Sequence, residues 1–126
     1  GFKHTGLFPE QAANWDSMRS LIEQRMQKDP SRQLKVLNLF AYTGGEMWKI
    51  EDDIFDFMLT CAQVLSDDPL FVLINSYTTG LQPTVIKNIL TLSLKGSGAS
   101  AEAYELGLPT EEGICLPCGA SGLATF

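Results

Sequence analysis

A group of hydroxyl and glycine residues follows an apolar run, and these residues are the ones best suited to holding a ligand. The apolar run, residues 34–40, is rich in leucine and predicts a buried strand. It leads into Ala-Tyr-Thr-Gly-Gly at residues 41–45. Glycines let main-chain N–H groups approach a bound molecule, and Tyr42 and Thr43 offer hydroxyl groups. This layout is typical of a cofactor-binding crevice; the alternative is a plain strand-to-turn transition.

Three other kinds of site are disfavoured by the residues present. The dinucleotide fingerprint G-x-G-x-x-G is absent, which argues against a nicotinamide-dependent Rossmann enzyme, and the phosphate loop G-x-x-x-x-G-K-[ST] is absent as well. His4 is the single histidine, so a histidine-based metal cluster is not expected. Cys115 and Cys118 form a nominal C-x-x-C pair, but zinc needs about four ligands and a redox pair usually begins a helix.

Residues 38–45, Asn-Leu-Phe-Ala-Tyr-Thr-Gly-Gly, resemble the first motif of class I S-adenosylmethionine-dependent methyltransferases. The resemblance is greatest to the bacterial branch that methylates large-subunit ribosomal RNA. Residues 3–11 are also similar to the entry loop of that family, which lies over the cofactor. The resemblance implies a methyltransferase of the EC 2.1.1 class that uses S-adenosyl-L-methionine and modifies a nucleobase of ribosomal RNA. It implies cofactor contacts at Thr5, Gly6, Phe8, Gln11, Phe40, Tyr42, Thr43 and Gly44.

The same resemblance implies an α/β fold for residues 1–126 as one catalytic domain. We expect a Rossmann-like sheet that is mostly parallel, with an antiparallel C-terminal hairpin and helices on both faces. The family's acidic ribose-binding residue and its Asp-Pro-Pro motif have no counterpart here, since the chain passes directly from Gly45 to Glu46. Either these residues are deleted, or the sequence joins two stretches near residues 44–46; we favour the join. No catalytic residue is therefore assigned, and the start at Gly1 also points to a preceding region.

Hydrophobic periodicity and turn residues predict the elements that would position this site. Helices are expected over residues 10–28, 48–65 and 83–94, and a second buried strand over residues 70–74. Ligands gather at the carboxyl ends of strands, so the loop after this strand is a candidate for substrate contact through Asn75, Ser76 and Tyr77. Their alternative role is to hydrogen-bond the loop to itself. Strands at 99–108 and 114–118 form a predicted hairpin, and residues 119–122 are predicted to be flexible.

Composition and charge limit the partners and the environment. The chain has 15 acidic and 9 basic residues, a formal net charge of −6, so any RNA must find its basic contacts elsewhere. The sequence has no apolar stretch of bilayer length and no secretion signal, and we expect a cytoplasmic protein with reduced cysteines and no metal. The alternative to the enzyme is a non-catalytic α/β interaction fragment that lacks the active centre.

Overall fold

The computed structural model describes residues 9–37 and 50–126 as three helices and three strands. A short 3-10 turn, Pro9–Gln11, leads into helix α1, Ala12–Lys28. Helix α2 covers Ile50–Gln63, strand β1 covers Phe71–Ser76 and helix α3 covers Pro83–Ser93. Strands β2, Ser100–Pro109, and β3, Cys115–Thr125, complete the sheet. The three helices predicted from apolar residues every three or four positions are confirmed in the described part of the chain.

The sheet has the strand order β1–β3–β2, and β3 pairs antiparallel with both neighbours. Strands β2 and β3 form a hairpin whose turn is closed by Thr110, which donates its backbone N–H to the Ile114 carbonyl at 2.8 Å. Gly113 has a φ of 80° in this turn, a conformation that residues with a side chain rarely adopt. The hairpin therefore brings β3 back along β2, and β1 then pairs with the far side of β3.

Helix α3 packs on one face of the sheet and α2 packs against α3, and together with the sheet they form the hydrophobic core. Ile54 and Met58 of α2 are buried, as are Ile86 and Leu90 of α3. The glycine at position 122 lets α3 approach β3 closely, because a Cβ there would lie 2.8 Å from Leu90 Cδ1 and closer still to Ile86. The small residues of β3 are therefore the floor on which α3 packs.

The beginning of α1 lies on the opposite face of the sheet. Side chains alternate between the two faces of a strand, so Ser121 points away from α3 when its neighbours on β3 point toward it. Ser121 is fully buried and bonds Asn14 of α1, with 2.9 Å between Oγ and Nδ2. One face of the sheet thus forms the apolar core with α2 and α3, and the other face makes a polar contact with α1.

The predicted Rossmann-like, mostly parallel sheet is wrong. Within residues 9–37 and 50–126 both strand pairs are antiparallel and no two parallel strands are hydrogen-bonded to each other. Strands β1 and β2 do run in the same direction, but β3 lies between them. The expectation came from the resemblance of residues 38–45 to a methyltransferase motif; the periodicity of the chain identifies strands but does not determine which strands are neighbours.

Two further expectations about strands also fail in part. Residues 34–37 are not in a strand, and Val36 and Leu37 are 82% and 66% exposed, so that part of the predicted buried strand is wrong. Residues 38–45 and the expected join at 44–46 lie outside the described residues. The tail predicted to be flexible, 119–122, is instead part of β3, and Ala120 is 4% exposed. Small residues there reflect close packing, not mobility.

An ion-pair cluster ties the end of α1 to the segment before β1. Asp68 lies between two arginines: Arg25 Nη1 is 2.7 Å from Asp68 Oδ2, and Arg32 binds the same carboxylate. Arg32 also donates to the Asp68 backbone carbonyl at 3.1 Å. The hydrogen bond from Arg25 is the main reason that the pKa of Asp68 lies below its ordinary value.

This lowered pKa predicts how stability depends on pH. A carboxyl group whose pKa is lower in the folded chain stabilises the fold above its ordinary pKa, and this stabilisation disappears as the pH falls through the folded value. We expect Asp68→Asn to make the fall in Tm between about pH 5 and pH 2 shallower than in the parent protein. Asp67→Asn removes the same charge at a residue with no ion pair in the described part of the chain, and serves as the control. Parallel Tm curves for the Asp68→Asn protein and the parent would contradict the role of the cluster.

Candidate functional site

Three polar side chains form a row across the sheet on the face that α1 covers. The strand register places Asn75 of β1 and Tyr104 of β2 on either side of Ser121, which lies on the central strand. Ser121 Oγ donates to Asn75 Oδ1 at 2.5 Å. Residues directly opposite each other on neighbouring strands have side chains on the same face, so all three point toward the first turn of α1.

Asn14 of α1 lies over this row and bonds each of its members. Its Nδ2 is 2.9 Å from both Asn75 Oδ1 and Ser121 Oγ, and its Oδ1 accepts from the Tyr104 hydroxyl. Asn14 is fully buried. A buried amide is stable only when its donors and acceptor are used, and here both ends of the amide are hydrogen-bonded.

Gln11 extends the contact from Asn14 to the loop after β1. Its Oε1 lies 2.6 Å from Asn14 Nδ2, so the two N–H groups of that nitrogen are shared among three oxygens, those of Gln11, Asn75 and Ser121. The Gln11 Nε2 donates to the Tyr77 hydroxyl at 2.6 Å. Gln11 is 7% exposed, whereas Tyr77 is 52% exposed. We call the six residues of this network the amide–hydroxyl cluster: Gln11, Asn14, Asn75, Tyr77, Tyr104 and Ser121. The cluster runs from a buried interior at Asn14 to an accessible surface at Asn75 and Tyr77.

The cluster contains no ionisable acid or base of ordinary pKa near neutrality, and the charges beside it are acidic. Burial raises the pKa of Tyr77, and Glu10 raises it further, while the hydrogen bond from Gln11 opposes this. Burial also raises the pKa of Tyr104, and Glu102 adds to the increase. Both phenols therefore keep their protons at neutral pH and act as neutral hydrogen-bonding groups.

The loop that carries Tyr77 is held in place by its own polar groups. Ser76 Oγ accepts from the Thr78 backbone N–H at 3.3 Å, and the Thr78 hydroxyl donates to Glu51 at the start of α2. Ser76 is 2% exposed and lies on the face of the sheet toward α2 and α3. Ser76 thus fixes the loop locally and is not part of the surface that Asn75 and Tyr77 share.

The structure brings together some of the residues that the sequence singled out. Of the predicted cofactor contacts, Gln11 lies in the cluster, where it bonds Tyr77 directly and is linked to Asn75 through Asn14; Asn75 and Tyr77 both come from the predicted substrate group. The other predicted cofactor contacts lie outside the described residues: Thr5, Gly6, Phe8, Phe40, Tyr42, Thr43 and Gly44. Ligand contact by any of these residues stays a prediction.

Three members of the cluster were not singled out from the sequence. Asn14 is three residues after Gln11, a spacing that places both on one face of the helix start, and this signal was available. Tyr104 and Ser121 gave no comparable signal, since Ser121 lies in a Gly-Ala-Ser-Gly run that reads as a loop. Only the strand register joins them to Asn75.

Other kinds of site are sparse in the described part of the chain. Across residues 9–37 and 50–126, histidine, cysteine and carboxylate side chains form no group of three or more that could bind a metal ion. Cys61, Cys115 and Cys118 are all free, and burial raises the pKa of the Cys61 thiol. Across those same residues, each helix is too short or too polar to cross a lipid bilayer.

Comparisons with known proteins do not assign this site to a family. Family models, curated proteins and solved structures were each compared with the chain, and none of the three comparisons gave a match.

Proposed function

We propose that this protein is an S-adenosylmethionine-dependent methyltransferase that modifies a nucleobase, with ribosomal RNA as the substrate. The motif at residues 38–45 is the sequence basis of the proposal. The observation that carries it further is the hydrogen bond between Gln11 and Tyr77, at 2.6 Å. Gln11 is a predicted cofactor contact and Tyr77 a predicted substrate contact, and they are 66 residues apart in the chain. Methyl transfer requires cofactor and acceptor to be adjacent, so this meeting supports the proposal.

The chemistry of the described residues suits this cofactor. S-adenosylmethionine supplies a methyl group on a positively charged sulfonium, which an acceptor atom displaces in line. The half-exposed ring of Tyr77, with Glu10 close enough to raise its pKa, favours a neighbouring cation. The amides of Gln11 and Asn75 offer neutral donors and acceptors of the kind that bind adenosine and amino-acid groups.

The protein's contribution would be orientation. Gln11 is fixed at both ends of its amide, by Asn14 and by Tyr77, so its rotamer is set before any ligand binds. Pre-ordered polar groups reduce the entropy that is lost when two reactants are aligned. The acidic net charge of −6 does not favour RNA phosphates, so we expect the RNA contact of this chain to be weak and to weaken further with salt.

Calorimetric titration of the full chain with S-adenosylmethionine tests the proposal. We expect binding in the parent protein, and about tenfold weaker binding for Gln11→Leu, since the variant loses the amide that fixes Tyr77. Gln24→Leu makes the same substitution on the exposed side of α1, where Gln24 bonds only Ser20 within the described residues, and is the matched control.

Two results would contradict the proposal. An absence of heat in the parent protein would remove the enzyme and favour the non-catalytic interaction fragment. Equal affinities of Gln11→Leu and Gln24→Leu for S-adenosylmethionine would show that cofactor binding does not depend on the amide–hydroxyl cluster.

A further inference from the structure

The amide of Asn75 has its oxygen bonded and its nitrogen available. Asn75 Oδ1 accepts from Asn14 Nδ2 at 2.9 Å and from Ser121 Oγ at 2.5 Å. Both contacts hold the carbonyl oxygen of Asn75 toward the interior, where Asn14 Nδ2 shares its two N–H groups among three oxygens. Asn75 is exposed, and its Nδ2 has no hydrogen-bond partner among residues 9–37 and 50–126. At the surface, Asn75 therefore offers donors only.

The direction of this amide depends on Tyr104, which Asn75 does not touch. The Tyr104 hydroxyl donates to Asn14 Oδ1, and Gln11 Oε1 accepts from Asn14 Nδ2 at 2.6 Å, so these two contacts together turn Asn14 Nδ2 toward Asn75 Oδ1. If Asn14 were reversed, the phenol would have to accept from an N–H group, and Asn75 would turn its oxygen outward. A phenol oxygen is a weaker acceptor than an amide oxygen because the ring withdraws its lone pair. Burial raises the pKa of Tyr104, which preserves the donating proton.

We propose that Asn75 is a specificity-determining residue for the acceptor base, and that Tyr104, through Asn14, is the positioning residue that keeps its N–H groups outward. The base would present a keto oxygen at the contacted edge, as guanine and uracil do. Adenine and cytosine present an amino group at the equivalent position, where two sets of donors would face each other unpaired. This inference rests on the proposed function, which supplies the nucleobase as the substrate.

The charges around Asn75 support a base and not a phosphate as the contacted group. Among the described residues, the partners of Asn75 are a neutral amide and a neutral hydroxyl, and the groups whose charge affects the cluster's two phenols are Glu10, Glu102 and Cys118, all of them anionic when ionised. Phosphates are bound by arginine, lysine or clustered backbone N–H groups. A neutral donor that is fixed by its neighbours is better matched to a base edge.

Matched pairs of nucleosides test the inference without cofactor. The full chain, labelled with ¹⁵N, is titrated with inosine against adenosine and with uridine against cytidine, and the Asn75 side-chain amide resonance is followed. Each pair exchanges a keto for an amino group. We expect inosine and uridine to shift the Asn75 resonance and to bind about three- to tenfold more tightly than their amino counterparts.

Two variants separate the contact from its positioning. Asn75→Asp keeps an oxygen for Asn14 and Ser121 but presents an acceptor outward, so the preference should invert toward adenosine and cytidine. Tyr104→Phe removes one of the two contacts that orient Asn14, the other being Gln11 Oε1, so the keto-to-amino affinity ratio should fall toward one. The ratio is the readout because a purely structural role of Tyr104 would weaken both nucleosides of a pair equally.

Several outcomes would overturn the inference. These are equal binding within each pair by the parent protein, preference for the amino nucleosides, and no shift at Asn75. An unchanged ratio in Tyr104→Phe would overturn the positioning role, and should that variant not fold, Asn75→Asp still decides the donor assignment. A keto preference without any S-adenosylmethionine binding would reject the proposed function and leave the donor assignment standing. Cofactor binding without a keto preference would reject this inference alone.

Discussion

Replacing Asn14 with alanine is expected to lower the free energy of unfolding by about 2–4 kcal/mol, a large share of the stability of a small domain. Asn14 is fully buried and its amide bonds Gln11, Asn75, Ser121 and Tyr104. The substitution leaves a small void and removes the partner of the Tyr104 hydroxyl. Buried polar groups that lose a partner keep the cost of leaving water, so the loss exceeds that of one ordinary hydrogen bond. Urea denaturation followed by circular dichroism measures it.

Ser17→Ala is the control for this experiment, because it removes a polar side chain from the same helix at a partly exposed position outside the cluster. Among the described residues its hydroxyl bonds only the Ala13 backbone carbonyl, at 2.9 Å. We expect a change within about 0.5 kcal/mol. A similar small change for Asn14→Ala would show that α1 does not depend on the cluster for its attachment to the sheet.

Leu90→Ala is expected to destabilise the protein by about 2–5 kcal/mol, through the opposite face of the sheet. Leu90 is 0% exposed and its Cδ1 lies against the backbone of β3 at Gly122. Truncation removes apolar contacts and leaves a cavity that the rigid strand beneath cannot close. Thermal and urea unfolding both report the loss.

Leu92→Ala makes the identical change two residues further along α3, where the side chain is 59% exposed. Its expected effect is within about 0.5 kcal/mol. Equal effects at the two positions would mean that α3 does not pack on β3 in the described orientation. The two leucines thus test the helix orientation with side-chain chemistry held constant.

Together these substitutions test whether the two faces of the sheet contribute independently to stability. Asn14 bonds the polar residues on one face of the sheet, whereas Leu90 belongs to the apolar cluster on the opposite face. Their effects on the free energy of unfolding should therefore be nearly additive in the double variant. The additivity follows from the position of β3, whose alternate residues contact α1 and α3.

Local patterns in the sequence determined the helices, their buried faces and the C-terminal hairpin. The spacing of Ile54 and Met58 predicted the buried face of α2, and that of Ile86 and Leu90 did the same for α3. The turn residues between Pro109 and Gly113 predicted the β2–β3 hairpin. These features involve residues within a few positions of one another, and their geometry follows from the helical or extended repeat. The resemblance also pointed to Gln11, and the loop after the second predicted strand pointed to Asn75 and Tyr77.

Only the tertiary structure decided how the strands are ordered and which polar residues meet. Residues 34–37, apolar enough to suggest a strand, are irregular, and residues 35–37 are exposed, while the glycine-rich end of β3 lies at the centre of the sheet. The meeting of Asn75, Ser121 and Tyr104 depends on a register between strands that are far apart in the chain. Strand pairing is a non-local choice, set by which surfaces bury together, and a pattern of single residues does not record it.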